Sequence, residues 1–435
     1  MTIESISMPK IKKIIILSIV LISILFDASV YAATTIHSIR FEGNDETQEI
    51  FLQRELFLAE GDVFDEVCLS ESIQALIDTG LFKSVDYYIA SDIPEDEHAP
   101  DSQIDLVIVV REKHYLLLLP RIRVKENKTN IGLQLRWDNL FGMNHRLRVL
   151  AENRGSTAGI AENRNELEYD YPNVNGSRYS LSFNYVDQNE VDVSVPGLEV
   201  NRIDQLAGVG VSRWLNSTGR NYGWFANVGW GVRDRRNDML DSMLVDETLR
   251  ALVLGLEYGF TETHEYGYNR SGKEFGYKIE MANKIIHSDV EFSRHELYYR
   301  SYYRFKSHPL DNLNVQTILG HASHDIMGNQ AFSLGGDNLR GYATGRFDGN
   351  AMLQINMEYL TPFKDHPRLR YAGFVDLGNT YEDVEDVVHG GLKTGVGMGL
   401  RWKIPSFVKL SLRLDLGYGI SDKDYRITAG THYSY

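Results

Sequence analysis

The sequence predicts a mainly β protein, a sixteen-stranded antiparallel transmembrane β-barrel preceded by one small β-α-α-β-β domain. Three observations predict it. Beyond His114, segment after segment alternates apolar and polar residues, the period of strands with two unlike faces. The composition is that of β structure, with 25 tyrosines and 37 glycines against 10 prolines in 435 residues. A basic and then apolar leader, Lys10, Lys12 and Lys13 before Ile14–Phe26, carries the chain out of the cytoplasm.

That apolar run is too short for an ordinary anchor of about 20 residues, and it suits a signal-peptide core. Val30-Tyr31-Ala32 supplies small residues at the cleavage positions, so residues 1–32 read as a signal peptide. No later window holds the ~18 uninterrupted apolar residues of a membrane helix. A net charge of −15 argues against a nucleic-acid partner, because phosphate must be met by a basic surface. The single cysteine, Cys68, cannot form an intrachain disulfide.

Residues 33–113 read as a binding module. Ile36–Phe41 alternates as a strand, and Thr47–Leu58 has helical spacing after the Asn44-Asp45 turn. Ser70 is placed to cap a second helix that buries Ile73, Leu76 and Ile77 and stops at Gly80. Leu81–Ala90 and Ile104–Val110 alternate as two strands around an acidic loop, Ser91–Gln103.

From 114 to 435 the strands fall near 114–125, 130–138, 145–153, 164–172, 178–188, 203–214, 221–234, 247–259, 273–287, 291–306, 312–324, 350–362, 367–380, 391–404, 407–420 and 424–435. Val408, Leu410, Leu412, Leu414, Leu416 and Tyr418, for example, interleave with Lys409, Ser411, Arg413, Asp415 and Gly417. In a membrane barrel the apolar face meets lipid and the charged face lines a wet lumen. Short connections such as Asn139–Asn144 and Pro172–Ser177 alternate with longer ones, Asn189–Arg202 and Asp325–Gly349. Short turns are expected in the periplasm and long loops outside.

Three places make special demands. The Asp325–Gly349 connection is glycine-rich and free of alternation, so it is expected to fold back into the lumen. Leu353, Ile355, Met357 and Tyr359 set a lipid face that turns Glu358 inward. By the same parity, Tyr371, Val375 and Leu377 turn Asp376 inward. Arg340 is then expected to pin the loop to the inner wall through Asp376, with Glu358 as second acceptor, since an enclosed guanidinium needs carboxylate partners. Ordinary lumen charges are the alternative. Pro120, in the first barrel strand, has no N–H for the ladder and would weaken a seam with the last strand around Gly430. The ending places Gly430, Tyr433 and Tyr435 in the pattern of a barrel assembly signal, or simply of a strand with two interface tyrosines.

Taken together, these motifs resemble the BamA/TamA-type superfamily of outer-membrane protein-transporting barrels (the bacterial surface antigen family). Its loop motif stands as Arg340-Gly341-Tyr342 and its strand motif as Phe374-Val375-Asp376-Leu377-Gly378. Ile39–Asn44 and Thr79–Phe82 match the signatures of a POTRA domain, and Asp138–Gly142 matches a characteristic turn. Only one POTRA-like repeat fits before 114, where relatives carry more. The resemblance implies a Gram-negative outer-membrane protein with its N-terminal domain in the periplasm. It also implies polypeptide handling, either insertion of membrane proteins or export of a client. Its partners would be an unfolded client, outer-membrane lipid and the machinery that assembles the barrel, with no cofactor. By family topology the strand bearing Lys83, Val85, Tyr87 and Ile89 is a sheet edge to which an extended client can add.

A passive pore or receptor is the alternative. A hydrolase using Glu358 and Asp376 is the least favoured, for there is no Gly-x-Ser-x-Gly, His-Glu-x-x-His or P-loop. Gly395, Gly397 and Gly399 lie on a strand, where glycines thin a wall, and the histidines show no metal-ligand spacing.

Overall fold

The computed structural model describes residues 34–90, 103–125, 128–157, 159–195, 198–216, 222–239, 247–323, 332–364 and 366–431. The leader, most of the acidic loop, Tyr433 and Tyr435 lie outside the described residues.

The N-terminal domain is a three-stranded sheet, ordered β1 (Thr35–Glu42), β3 (Gln103–Glu112) and β2 (Phe82–Ala90), under two helices, α1 (Glu49–Glu55) and α2 (Glu66–Asp78). β1 and β3 run parallel, while β2 and β3 run antiparallel. α2 starts earlier than its sequence suggests. Asp65, not Ser70, is the cap, its carboxylate accepting from the Val67 amide at 2.7 Å, and Ser70 lies inside the helix. The helix ends at Gly80, whose φ is 77°. Leu52, Leu69, Leu76, Leu106 and Ile108 form the buried core.

The remaining strands form one antiparallel sheet of sixteen. They are β4 (Leu116–Lys125), β5 (Lys128–Leu140), β6 (His145–Thr157), β7 (Ile160–Tyr171), β8 (Tyr179–Val195), β9 (Leu198–Trp214), β10 (Gly223–Met239) and β11 (Glu247–Tyr266). After these come β12 (Asn269–Ala282), β13 (Phe292–Arg304) and β14 (Asn312–Ala322). Following a short hairpin, β15 (Phe332–Leu334) and β16 (Phe347–Gly349), the sheet resumes with β17 (Ala351–Phe363), β18 (His366–Tyr381), β19 (Lys393–Ile404), β20 (Leu410–Gly419) and β21 (Asp424–Gly430). Each strand pairs with its neighbour in sequence, and β14 pairs with β17 across the hairpin.

Two expectations are corrected. The segment 189–202 is not a loop: β8 and β9 run on as a ladder to Val195 and Leu198, and the sequence there keeps the strand period, with Val191, Val193 and Val195 alternating with Glu190, Asp192 and Ser194. The 325–349 connection is not free of strand either, since its ends pair as β15 and β16.

Large apolar side chains such as Leu118, Ile131, Val209, Trp230, Leu297, Tyr371 and Met398 point outward and stay exposed. Gln134, Arg136, Glu152, Gln354, Asn356 and Asp415 are buried on the other face. That inversion of the usual soluble pattern is what a hydrocarbon surround requires. The sheet curls until the lead into β4 meets the β19–β20 turn. There the His114 amide donates to the Ser406 carbonyl at 2.8 Å, and Arg136 on β5 donates to the Val408 carbonyl.

Leu76 is fully enclosed at the centre of the N-terminal core. Leu76→Ala is expected to destabilise that domain by about 2–5 kcal/mol. Hydrogen exchange on the full chain should then rise across 35–112 while barrel amides stay protected.

Candidate functional site

The site is the inner wall of β17–β20 and the loop folded against it. Three rows of inward residues cross these strands in register. Asn356, Asp376, Gly395 and Gly419 form one row, and Glu358, Phe374, Gly397 and Gly417 form the next. Leu360, Ala372, Gly399 and Asp415 form the third. In the first two rows the acids thus stand on β17 and β18, and β19 and β20 beside them carry only glycine, while Asp415 enters from β20 in the third row.

The loop uses both features. Arg340, fully buried, donates through Nε and Nη2 to the two oxygens of Asp376 at 2.7 and 2.8 Å, and through Nη1 to Glu358 at 2.7 Å. Its own amide adds a bond to Asp376 at 3.0 Å. The guanidinium lies 3.5 Å from the ring centroid of Phe374. A Cβ on Gly395 would collide with the Arg340 carbonyl, so glycine there lets the loop backbone touch the wall. Gly341 has φ 95°, and a side chain on it would strike the backbone of β20. Tyr342 completes the motif by donating to the Thr394 carbonyl at 2.8 Å. Gly378 leaves room for Leu334.

The sequence brings Arg340, Gly341, Tyr342, Glu358, Phe374, Asp376 and Gly378 together as parity suggests. Parity alone leaves out the rest of the cluster. Arg401 on β19 bonds Glu358 and reaches Asp415 on β20 at 2.6 Å, and Arg413 bonds Asp337 of the loop at 2.6 Å. Asn356 donates to Asp376 at 2.9 Å and to the Asn338 carbonyl at 3.0 Å. Arg401 lies between outward Leu400 and Trp402, and Asp415 between Leu414 and Leu416, so the same alternation marks both as inward. Around this cluster Phe332, Leu334, Leu339 and Tyr342 pack on small inward residues, Ala251, Ala282 and Ala322. The loop therefore fills that end of the lumen with a packed apolar core.

The opposite mouth is met by the N-terminal domain. Asp78 at the end of α2 accepts from the Glu265 amide and pairs with His264, each at 2.7 Å, and Gln74 donates to the Glu265 carbonyl at 3.0 Å. The Asn139–Gly142 turn holds the start of α1. The Gln48 amide donates to the Gly142 carbonyl at 3.0 Å, and Asn139 donates to Thr47 at 2.8 Å. Lys113 donates to the Gly80 carbonyl at 2.7 Å. Burial, with Lys403 nearby, lowers its amine to about 8. A cavity of about 910 Å³ remains between α2 and the inner wall of the barrel, lined by Asp78, Asp170, Ser182, Asn227 and Glu262 among others.

β2 is an edge of its sheet, with no ladder partner beyond it among the described residues. The other edge is taken, because residues 61–64 bond along β1 through Gly61, Asp62 and Phe64. Lys83, Tyr87 and Ile89 are exposed on β2. Val85 is not: it shares a face with Tyr87 and Ile89, but its end of the strand packs in the core with Leu52, Leu69 and Leu76 of the helix layer. Pro120 pairs with Leu133 in β4–β5, and Gly430 pairs with Arg413 in β20–β21. Among the described residues no ladder pair joins β4 to β21.

Two family models match the chain. The Omp85 superfamily domain covers residues 139–433, and the POTRA model, described as surface antigen variable number repeat, covers 34–113. The outer membrane protein assembly factor BamA of Nitratidesulfovibrio vulgaris is 23% identical over 402 residues, 85% of this chain and 47% of that protein. The chain thus spans about half the length of this relative. Among solved structures, BamA from Haemophilus ducreyi lacking POTRA domains 1–3 is similar over 92% of this chain and 84% of its own, at 16% identity and a TM-score of 0.54. CdiB from Escherichia coli is similar over 92% and 75%, at 14% identity and a TM-score of 0.63.

Removing one partner of a buried ion pair costs about 3–5 kcal/mol. Arg340→Ala is therefore expected to leave the barrel folded and residues 332–349 open to protease. Arg340→Lys should restore only part of the protection, since an ammonium cannot hold Asp376 through two parallel bonds. Unchanged cleavage in Arg340→Ala would mean that apolar packing alone holds the loop.

Proposed function

The chain belongs to the Omp85 superfamily, and from that premise we propose that it handles polypeptides at the outer membrane, by inserting membrane proteins or passing an exported client. The POTRA domain captures the client in the periplasm along the open edge of β2, where main-chain hydrogen bonds need no particular sequence. Tyr87, Tyr88 and Ile89 supply exposed apolar surface beside that edge. Arg340 acts as the pin that holds the loop within the lumen. The barrel itself reaches the membrane through the cell's outer-membrane assembly machinery, which reads its last strand.

The observation that carries this reading is the contrast between lumen and seam. The lumen is occupied at one end by the pinned loop and faced at the other by α2, whereas β4 and β21 share no ladder pair among the described residues. Moving a client sideways through the seam breaks fewer contacts than driving it through the packed loop. Pro120 favours the same route, since it offers no N–H to a closing strand. A passive pore fits less well, because both ends of its lumen are obstructed. Nor do Glu358 and Asp376 resemble an acid–base pair, for arginines within 2.7 Å hold both as ion-pair partners.

In-cell photo-crosslinking from position 87 tests the capture step, because the side chain at 85 is buried. Nascent outer-membrane proteins among the adducts are expected of an insertase, and one large exported protein of a dedicated secretion transporter. Adducts at 87 that match those from an exposed barrel-loop position would remove the POTRA edge from the account.

A further inference from the structure

The lipid-facing wall of β17–β21 has a gap in it. Tyr359, Met398, Leu416 and Ile427 stand in one outward row across β17, β19, β20 and β21, and the residue β18 gives to that row is Gly373. A Cβ built on Gly373 meets nothing within 4 Å. The result is an apolar groove of about 390 Å³ walled by Tyr359, Tyr371, Met398, Leu416 and Ile427. Apolar side chains exposed singly need no explanation, but a continuous concave apolar surface does.

The groove has a defined depth and a charged end. Thr361 and Tyr371 pair close to the periplasmic turn that joins β17 to β18. The Tyr371 ring lies 5.2 Å from Phe363, and the next residue, Lys364, is exposed at the tip with its ammonium 6.0 Å from that ring. On the other flank the Tyr359 hydroxyl donates to Asp311 in the neighbouring periplasmic turn. Both aromatic residues thus sit where amphipathic rings anchor at a membrane surface.

We propose that this groove holds one acyl chain of a phospholipid from the periplasmic leaflet, with the headgroup phosphate beside Lys364. The inference rests on the barrel spanning the membrane and is independent of what client passes. Charge and depth select the ligand: a chain from the opposite leaflet would carry its headgroup to the loop rim, far from Lys364. The site also has a structural consequence. Among the described residues β21 has a ladder partner on one side only, and an acyl chain lying from Tyr359 to Ile427 braces it from outside.

Native mass spectrometry of the full-length protein in mild detergent is expected to find one phospholipid retained. Gly373→Phe fills the groove and should lower retention about tenfold, as several methylenes return to bulk lipid or detergent. Lys364→Gln should weaken retention less. A second measurement needs no variant to fold. In vesicles of phosphatidylethanolamine and phosphatidylglycerol with a diazirine midway along the acyl chain, label should concentrate on Met398 and Leu416. Equal retention by both proteins, label spread evenly round the barrel, or lipid A retained in place of phospholipid would each overturn the assignment.

Discussion

A guanidinium sealed inside a protein must find acceptors for its donors, and carboxylates sealed beside it must be neutralised in turn. In this chain that demand is met by a closed set: Arg340, Arg401 and Arg413 against Glu358, Asp376 and Asp415, with Asp337 of the loop facing Arg413. The set links the loop to β17, β18, β19 and β20 at once. Much around it follows from fitting it in. Glu358 and Asp376 stand on adjacent strands, Phe374 lies under the guanidinium, and glycines on the next two strands leave space for the loop backbone. A side chain at Gly395 would push Arg340 off Asp376 without touching either charge.

With the loop seated, the two ends of the barrel differ in kind. One end is a dry, packed plug built on small inward residues. The other is a polar mouth faced by α2, where the contacts are side-chain bonds at a domain boundary and a cavity remains. Contacts of that kind open more readily than a packed core. The lower seam lies between these regimes, since the lead into β4 is bonded to the β19–β20 turn and β21 is left outside that closure. A seam fixed at its base, and without ladder pairs above it among the described residues, can part locally while the sheet keeps its other ladders.

Much of this was legible because a strand has a period of two. Every sequence-derived strand has its counterpart in the sheet, and parity alone turned Glu358 and Asp376 to the same interior as Arg340. Where the sequence misled, the reason is local. Alternation in β8 and β9 continues through Val191, Val193 and Val195, so the two-residue period reaches further than the expected strand ends. Ser70 has the chemistry of a helix cap and reads as one, but the cap is Asp65, five residues earlier, and Ser70 lies inside the helix. Val85 shares the edge strand and its face with Tyr87, yet only Val85 lies in the packed core, and how far the helices cover that face is not in the alternation. Arg401 and Asp415 carry the same parity signal as Asp376. Their pairing was invisible because it depends on the register between β19 and β20 and on the reach of each side chain. The docking role of the Asn139–Gly142 turn was hidden for the same reason, as its partners lie some ninety positions earlier.

The central claim is that Arg340 and Asp376 act as one unit in holding the loop. A double-mutant cycle tests it directly, with Arg340→Met, Asp376→Asn and the pair compared by hydrogen exchange of residues 332–349 in the full chain. The account predicts strong coupling, in the range of about 0.5–3 kcal/mol seen for residues in direct contact. The double variant should then be little worse than either single one. Additive effects would contradict it and leave the loop held by apolar packing, with the charges as bystanders.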